Sequence, residues 1–337
     1  MFGEQVALVA NIGGTHARFG LALPSRAGRP EVVAVGQYLT ADFASFSDAA
    51  GHYLGGVGAE KPTQGVFAVA SAVTGDQVKI TNNPWTFSIR EMRRDLRLDG
   101  VRVINDFSAL SRSLPWLQPG DVHAIGAVPP RSAPGVDATY AVVGPGTGLG
   151  VGCLAMRGGQ GVVIESEGGH VSFAPGDRYE MRVLELLFER YGRVSAERLI
   201  SGTGLLNLYQ AVCAIEGTPA QLETPAAVTA HAVADRAGPC GRTLELFWSL
   251  LGSFAGDAAL SFGAWDGVFI AGGVAQKILP WLEAGAFRRR FEDKGRHQAL
   301  MRAIPTQVVL HPHAELLGVA SLRMGGGAAP NSPCAGE

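Results

Sequence analysis

The sequence feature that most constrains the fold is a strand, a glycine-rich turn and a second strand, an arrangement that occurs twice. In the first copy, an apolar run at residues 6–10 leads into NIGGT and then into residues 17–23, whose apolar side chains alternate with a period of two. In the second copy, residues 140–143 lead into GPGTGLG and continue as residues 151–155. The familiar nucleotide loops join a strand to a helix, whereas both of these turns join two strands. The repetition predicts two related halves, each contributing one hairpin, with a ligand held between them.

Strands and helices alternate along the rest of the chain, which predicts an α/β protein with helices covering the faces of mixed or mostly parallel sheets. Further strands are predicted at residues 65–70, 101–104, 162–164, 268–271 and 307–310, and helices at residues 184–191, 195–200, 205–215, 243–261 and 316–323. The Pro- and Gly-rich stretch at residues 129–135 is predicted to be a loop, and we place the domain boundary a little before it.

The composition excludes several classes of protein. Lys and Arg number 28 against 30 Asp and Glu, so bulk charge favours binding neither to nucleic acid nor to an anionic membrane. No apolar run approaches the roughly 18 residues that a membrane span needs, and the N-terminus lacks the pattern of a secretory signal. Four cysteines in 337 residues, none of them paired in sequence, favour a reducing compartment. We therefore expect a soluble, cytoplasmic protein without a nucleic-acid or membrane partner.

The two glycine-rich turns are candidate phosphate sites. Glycines let neighbouring backbone N–H groups point into one concavity, and such a nest binds phosphate oxygens. Thr15 adds a hydroxyl to the first turn and Arg18 adds a cation. A tight hairpin without a ligand is the alternative for either turn taken alone. The presence of a second such turn, at residues 146–148, favours a nucleotide that is bound by both turns.

Polar residues follow three other predicted elements. Asn105 and Asp106 come at the carboxyl end of a strand, where ligands of open α/β sheets collect, although an Asp there is commonly a helix N-cap. The segment EGGH, residues 167–170, suits a small polar ligand, the alternative being a turn with surface side chains. Glu197 taken alone is a solvated helix residue. Residues 272–273 permit a flat ring against the backbone or form a plain strand-to-helix turn, and residues 311–313 favour a plain loop over a metal site.

Each of these segments is weak alone, but their order along the chain resembles bacterial glucokinases, the ATP-dependent hexose-kinase family. The segments that carry the resemblance are NIGGTHAR, TNNPWTFSI, INDFSAL, GPGTGLGVG, EGGHVSFAP, VSAERLISGTGLLNLY, GVFIAGGVAQ and FEDKGR. The resemblance implies two ribonuclease-H-like α/β domains with an interdomain cleft, the fold of actin and hexokinase. We expect a small domain from residues 1–116 plus about 307–337 and a large domain from residues 117–306.

The resemblance also implies roles for individual residues, with ATP and Mg²⁺ as the phosphoryl donor. Asp106 matches the catalytic aspartate, the general base for the 6-hydroxyl of glucose. The sugar-binding groups match Asn105, Asp106, Glu167, His170 and Glu197. The nucleotide-binding positions match Ala10, Asn11, Ile12, Gly13, Gly14 and Thr15 in the first turn, Gly146, Thr147 and Gly148 in the second, and Gly272 and Gly273 on the adenosine side. The family further implies a homodimer, formed through helices of the large domain.

Asn11 departs from the family pattern, which has an aspartate at that position. The carboxylate helps to hold magnesium, usually through a water, and hard cations prefer anionic oxygen. The amide keeps a carbonyl acceptor but loses the charge, so the metal assignment at Asn11 is indirect. Three hypotheses follow: a kinase that phosphorylates glucose, a kinase for a related hexose or amino sugar, and a sugar- and nucleotide-binding sensor with weak or no kinase activity.

Overall fold

The computed structural model describes residues 6–23, 29–58, 61–81, 83–129, 137–282 and 285–322. The strands are β1 (Ala7–Ile12), β2 (His16–Leu23), β3 (Glu31–Leu39), β4 (Gln64–Val69), β5 (Gln77–Lys79), β6 (Thr86–Ser88), β7 (Gly100–Asn105), β8 (Val122–Ile125), β9 (Ala138–Pro145), β10 (Leu149–Arg157), β11 (Gln160–Ser166), β12 (Gly267–Ile270) and β13 (Thr306–Val309). The helices are α1 (Phe46–Val57), α2 (Ile89–Asp95), α3 (Asp106–Ser113), α4 (Arg178–Tyr191), α5 (Gly202–Glu216), α6 (Pro225–Ala234), α7 (Pro239–Phe262), α8 (Gly273–Lys277), α9 (Leu279–Leu282), α10 (Ala286–Glu292), α11 (Gln298–Arg302) and α12 (Ala314–Ala320).

The chain divides into two compact units, with the divisions at residues 109/110 and 314/315. Unit 1 holds the N-terminal residues and α12 from residue 315 onward, and unit 2 holds residues 110–314. The expected small domain therefore differs at both edges. Residues 110–113 of α3 and the 3₁₀ turn at residues 114–116 lie in unit 2. Residues 307–314 lie in unit 2 because β13 pairs in its sheet, parallel to β12.

Unit 1 contains a five-stranded sheet in the order β3-β2-β1-β4-β7. The hairpin β1–β2 and the next pair, β2–β3, are antiparallel, whereas β4 and β7 run parallel to β1. All six side chains of β1 are buried, because the strand lies at the centre of the sheet with both faces covered. An aromatic cluster that includes Phe19, Phe46 and Phe67 covers one face, and a smaller cluster with Leu316 and Val319 of α12 covers the other.

Unit 2 repeats this order with β11-β10-β9-β12-β13, and β8 adds an antiparallel strand beyond β13. Here too the first three strands form antiparallel pairs, and β12 and β13 run parallel to β9. The prediction of two related halves built on matching hairpins is therefore confirmed, as is the mixed α/β class. The two hairpins place their glycine-rich turns at the same position of each sheet, directly after the central strand.

The long helix α7 explains a run of small residues in the sequence. A Cβ at Gly252 would lie 2.1 Å from the carbonyl oxygen of Phe287, so only a glycine lets α10 approach the helix this closely. Phe287 stacks on Phe291 and meets Trp248 edge-on, which builds the core of unit 2 between the two helices. Through the described part of the chain, no helix combines the length and the apolar character that crossing a membrane requires.

Candidate functional site

In unit 1 the first glycine-rich turn connects β1 to β2 through residues 13–15. Gly13 donates its N–H to the carbonyl of His16 at 2.9 Å, so this group closes the turn. The N–H groups of Gly14 and Thr15 make no hydrogen bond within the described residues, and Thr15 is exposed. The donors that the turn can offer to an anion are therefore those of Gly14 and Thr15, not that of Gly13.

The positions and the burial of residues 10–12, which precede the turn, are determined by the pairing of β1 in the sheet. Ala10 and Ile12 are fully buried in the aromatic cluster of unit 1, so a nucleotide could meet them through their backbone alone. Asn11 lies between Arg18 and Ala68 on the neighbouring strands and is 8% exposed. Its side-chain amide makes no hydrogen bond to the described residues, and its atoms are not sealed from solvent, so water or a ligand can reach them.

Asn105 and Asp106 emerge from the same edge of this sheet as the first turn. Ile12, Val69 and Asn105 form one row across β1, β4 and β7. Two strand spacings separate Ile12 from Asn105, so their backbones lie roughly 9–10 Å apart. Since parallel strands end at one edge, the turn after Ile12 and the carboxylate after Asn105 share the carboxyl edge of the sheet, where ligands of α/β proteins bind.

The start of α3 is capped mainly by Asn105. Its Oδ1 accepts the N–H groups of Phe107 at 2.8 Å and of Ser108 at 3.3 Å, and its Nδ2 donates to the carbonyl of Ser71 at 3.3 Å. Asp106 Oδ1 shares the N–H of Phe107 at 2.9 Å. The alternative in which Asp106 is the helix cap is therefore wrong, because the preceding amide occupies that position. Asn105 keeps one Nδ2 hydrogen that a sugar hydroxyl could accept.

In unit 2 the second turn, residues 146–148, is fixed by one hydrogen bond within the turn and one from the start of α5. Gly146 donates its N–H to the carbonyl of Gly148, and its own carbonyl accepts the N–H of Gly202 at the start of α5, both at 2.8 Å. The N–H groups of Thr147 and Gly148 have no hydrogen-bond partner in the described residues. The turn thus resembles the first one, with two adjacent N–H groups available to an anion.

Glu197 connects the second turn to the predicted sugar-binding segments. Its Oε2 accepts the N–H of Leu149 at 2.9 Å, and a Cβ at Gly148 would lie 2.4 Å from the same oxygen. The carbonyl of Leu149 in turn lies against Gly169, where a Cβ would approach it to 2.0 Å. The alternative in which Glu197 is merely a solvated helix residue is therefore wrong, because its carboxylate binds the backbone of Leu149. Leu149 joins its carboxylate on one side to the EGGH segment on the other.

The EGGH segment forms a short 3₁₀ helix, Gly168–His170, directly after the edge strand β11. The side chains of Glu167 and His170 are 72% and 57% exposed, and Glu167 Oε2 lies 3.9 Å from His170 Nε2. The backbone is fixed by bonds from His170 N–H to the carbonyl of Glu167 and from Arg193 Nη2 to the carbonyl of His170. A rigid backbone thus presents a carboxylate and an imidazole to solvent, where both can bind hydroxyls.

The segments that carry His170 and Glu197 are paired with each other. Ser172 and Ser195 form an isolated antiparallel bridge. On either side of it, Phe173 N–H donates to the carbonyl of Val194 at 3.0 Å, and Ala196 N–H donates to the carbonyl of Val171 at 2.9 Å. This pairing brings the EGGH and SAER motifs together although they are 27 positions apart, from residue 170 to residue 197.

A buried ion pair anchors the far end of the EGGH loop. Glu180 accepts the N–H of Gly176 at 2.6 Å and is bound by Arg290 Nη2 at 2.9 Å. The Glu180 side chain is 2% exposed, and its burial raises the pKa of the carboxyl above the usual range despite the neighbouring guanidinium. The pair connects the loop to α10 in the core of unit 2 and so fixes the loop on the C-terminal side of His170.

The last predicted glycine pair follows β12. Gly272 has φ 91°, and a Cβ there would lie 2.5 Å from the carbonyl oxygen of Pro145, so the position requires glycine on both grounds. Gly273 begins α8, and a Cβ there would meet no atom within 4 Å. Gly272 therefore packs against the strand that leads into the second turn, and Gly273 leaves open space beside it.

Unit 1 thus assembles Asn11, the first turn and Asp106 at one sheet edge, and unit 2 assembles the second turn, Glu197, the EGGH segment and Gly272. Sequence reasoning missed Thr40 and Asn83, whose side chains bind the backbone of the first turn, because both lie far from it in the chain.

His311 Nδ1 accepts the N–H of His313 in a loop. Within the described ranges, no group of three or more His, Cys, Asp or Glu side chains could hold a metal ion.

Comparison with known proteins places these motifs in a family. A family model described as Glucokinase matches residues 8–325. A glucokinase from Stenotrophomonas maltophilia (strain K279a) is 47% identical over 323 residues, which cover 94% of this chain and 95% of that protein. A glucokinase from Xanthomonas axonopodis pv. citri (strain 306) is 45% identical over 319 residues, with the same coverage.

Solved structures give the same result at the level of the fold. The crystal structure of a glucokinase from an Antarctic psychrotroph matches with a TM-score of 0.86 and 34% identity, over 95% of this chain and 99% of that one. A ROK family glucokinase from Streptomyces griseus, in complex with glucose and AMPPNP, matches with a TM-score of 0.62 over 94% of this chain and 98% of that one. At 16% identity the second likeness concerns the fold alone.

Proposed function

The chain belongs to the glucokinase family of sugar kinases that phosphorylate glucose, and we propose that it transfers the γ-phosphoryl group of MgATP to the 6-hydroxyl of glucose. The products are glucose 6-phosphate and ADP. The observation that carries the proposal is Asp106, which follows the carboxyl end of β7 while Asn105 caps the helix behind it.

Asp106 acts as the general base. Its carboxylate accepts the proton of the 6-hydroxyl as that oxygen attacks the γ-phosphorus, and the bond from phosphorus to the β–γ bridging oxygen breaks to release ADP. Phosphoryl transfer depends on positioning and charge stabilisation more than on covalent help. General-base assistance is worth roughly a hundred- to ten-thousand-fold in rate, so Asp106→Ala should lower kcat by about that factor.

Glucose is held by hydrogen bonds to Glu167, His170 and Glu197, with Asn105 donating its remaining Nδ2 hydrogen. The exposed carboxylate and imidazole of the EGGH segment support this role, as does the unused Oε1 acceptor capacity of Glu197. A site built to pair with hydroxyls rejects sugars that leave those groups unpaired. Epimers that move one hydroxyl should therefore be poor substrates.

The phosphates of ATP bind to the N–H groups of Gly14 and Thr15 and of Thr147 and Gly148, and the adenosine lies against Gly272 and Gly273. In each turn, two adjacent N–H groups that make no hydrogen bond to the described part of the chain support this assignment. Bound with ATP, magnesium would supply positive charge that offsets the charge of the phosphates. Asn11 could hold the ion through a water, because its amide is reachable and makes no hydrogen bond to the described residues, but it lacks the charge that a carboxylate would supply.

Asn11 also favours a second candidate, a sugar- and nucleotide-binding sensor with little turnover. The coupled assay for ADP formation, with MgATP and a panel of hexoses and amino sugars, separates the candidates. The kinase proposal expects robust turnover that is highest with glucose and falls roughly a hundred- to ten-thousand-fold in Asp106→Ala while glucose still binds. Tight binding of both ligands without turnover would support the sensor, and a preference for another hexose would correct the substrate.

A homodimer through unit 2 helices also belongs to this proposal. On α4, Met181 and Phe188 are 51% and 59% exposed, and they are seven positions apart, so both lie on one face of the helix. An apolar face of this kind supports an interface. Light scattering coupled to size-exclusion chromatography should give twice the chain mass of 35.2 kDa, and a Phe188→Asp variant should shift it toward the monomer.

A further inference from the structure

The three carbonyl oxygens of the first turn are all bound by two side chains from elsewhere in unit 1. Asn83 Nδ2 donates to the carbonyl of Gly13 at 3.0 Å. Thr40 Oγ1 lies 3.2 Å from the carbonyls of both Gly14 and Thr15, and the backbone N–H of Thr40 donates to Thr15 at 3.0 Å. Thr40 and Asn83 therefore bind one side of the turn along its whole length.

These two side chains are themselves fixed. Thr40 is 3% exposed at the start of a short 3₁₀ helix that follows β3. Asn83 is 9% exposed, and its Oδ1 accepts the N–H of Trp85 at 2.8 Å. The indole of Trp85 donates to the carbonyl of Phe43 at 3.1 Å, which connects the two supports. The turn therefore rests on a rigid base, not on mobile surface side chains.

Because these hydrogen bonds fix the carbonyl groups of the turn, peptide geometry also determines where the N–H groups of Gly14 and Thr15 point. In a trans peptide, the carbonyl of one residue and the N–H of the next point in opposite directions. Because Asn83 holds the carbonyl of Gly13, the N–H of Gly14 points away from it, and because Thr40 holds the carbonyl of Gly14, so does the N–H of Thr15. Peptides flanked by glycine rotate easily, so an unsupported turn would lose this alignment.

We propose that Thr40 and Asn83 are positioning residues that orient the N–H groups of Gly14 and Thr15 toward the phosphates of ATP. The inference rests on the proposed role of this turn in binding phosphate. Donors held in place before the ligand arrives cost no reorganisation when it binds, which is the general benefit of preorganisation. Thr40 and Asn83 need not touch the nucleotide.

The test compares the binding of ADP with that of adenosine, by isothermal titration calorimetry, on the full chain. Thr40→Val keeps the shape of the side chain and removes the hydroxyl, and Thr40→Ser restores it. Asn83→Asp keeps the acceptor for Trp85 N–H and removes the donor to Gly13. The matched control is Thr229→Val, since the hydroxyl of Thr229 also donates to a backbone carbonyl, that of Pro225 at 2.9 Å, in α6 of unit 2.

Thr40→Val and Asn83→Asp should each weaken ADP binding about tenfold, as the loss of about one hydrogen bond predicts, and leave adenosine binding unchanged. The KM for ATP should rise with them and the KM for glucose should not. Thr40→Ser and Thr229→Val should match the parent chain. Equal losses for ADP and adenosine, or an unchanged ratio in both variants, would overturn the proposal. A parent chain that binds ADP no better than adenosine would instead overturn the phosphate role of the turn itself, and the positioning role with it.

Discussion

Replacing Glu197 tests the connection between the second turn and the sugar-binding segments. Glu197→Ala removes the acceptor of the Leu149 N–H, which the carboxylate binds at 2.9 Å beside a side chain that is 5% exposed. Glu197→Gln keeps the size of the side chain and one carbonyl oxygen, so the N–H retains an acceptor. The two variants therefore separate the loss of the hydrogen bond from the loss of the charge.

The magnitudes differ for a physical reason. An unsatisfied buried N–H costs about 1–3 kcal/mol, whereas exchanging a charged acceptor for a neutral one costs about 1 kcal/mol. For a unit of the size of residues 110–314, each kcal/mol lowers Tm by roughly 2–4 °C. We therefore expect Glu197→Ala to lower the melting temperature of unit 2 by roughly 2–12 °C and Glu197→Gln by roughly 2–4 °C.

Thermal unfolding followed by circular dichroism gives the stability, and steady-state kinetics gives the effect on each substrate. Both variants should raise the KM for glucose, because the carboxylate faces the sugar in the proposed site. The matched controls are Glu189→Ala and Glu189→Gln, which change an exposed glutamate on α4 and should leave both readouts unchanged. An unchanged melting temperature and an unchanged KM for glucose in Glu197→Ala would refute the claim that Glu197 satisfies the Leu149 N–H and binds the sugar.

Three further predictions concern single positions. Asn11→Asp should lower the Tm of the ligand-free protein, because it places a charge at a buried site, and should raise turnover with MgATP; unchanged turnover would mean that Asn11 is not limiting. Gly146→Ala should leave stability within about 0.5 kcal/mol, since a Cβ there meets no atom within 4 Å, yet raise the KM for ATP; an unchanged KM would argue against a phosphate at this turn. Burial raises the pKa of Cys153 to about 11, so its thiol is protonated at pH 8, and iodoacetamide should label it only after unfolding, as mass spectrometry can show; rapid labelling of the folded chain would contradict this.

The parts of the fold that could be predicted are those whose burial is continuous. The central strand β1 is buried along its whole length, and residues 19–22 of β2 are buried without a break. The larger apolar side chains of β2, Phe19, Leu21 and Leu23, still show a period of two in the sequence. The strand β3 was not predicted because it lies at the sheet edge with a half-exposed, irregular pattern. The helix α6 was not predicted because its own sequence, PAAVTAHAVA, places apolar residues on every face of the helix. No helical period is therefore visible in the sequence.

The candidate site shows the same division between local and distant information. Motifs such as NIGGT and EGGH are contiguous, so their residue types could be identified from the sequence. The supports of those motifs could not be, because Thr40 and Asn83 lie 25 to 70 residues from the carbonyls they bind. The domain edge at β13 likewise depends on which strand it pairs with, and neighbouring positions in the chain do not encode that choice.

The most direct test of the central claim is the identity of the product that this chain makes from glucose and MgATP. Phosphorus and carbon NMR of the reaction mixture should show one phosphoryl group on the 6-oxygen of glucose and an equimolar amount of ADP. The same mixture with Asp106→Ala, sampled at the same early time, should contain roughly a hundred- to ten-thousand-fold less of both products. ADP without phosphorylated glucose, phosphate on another oxygen, or full turnover in Asp106→Ala would contradict the account.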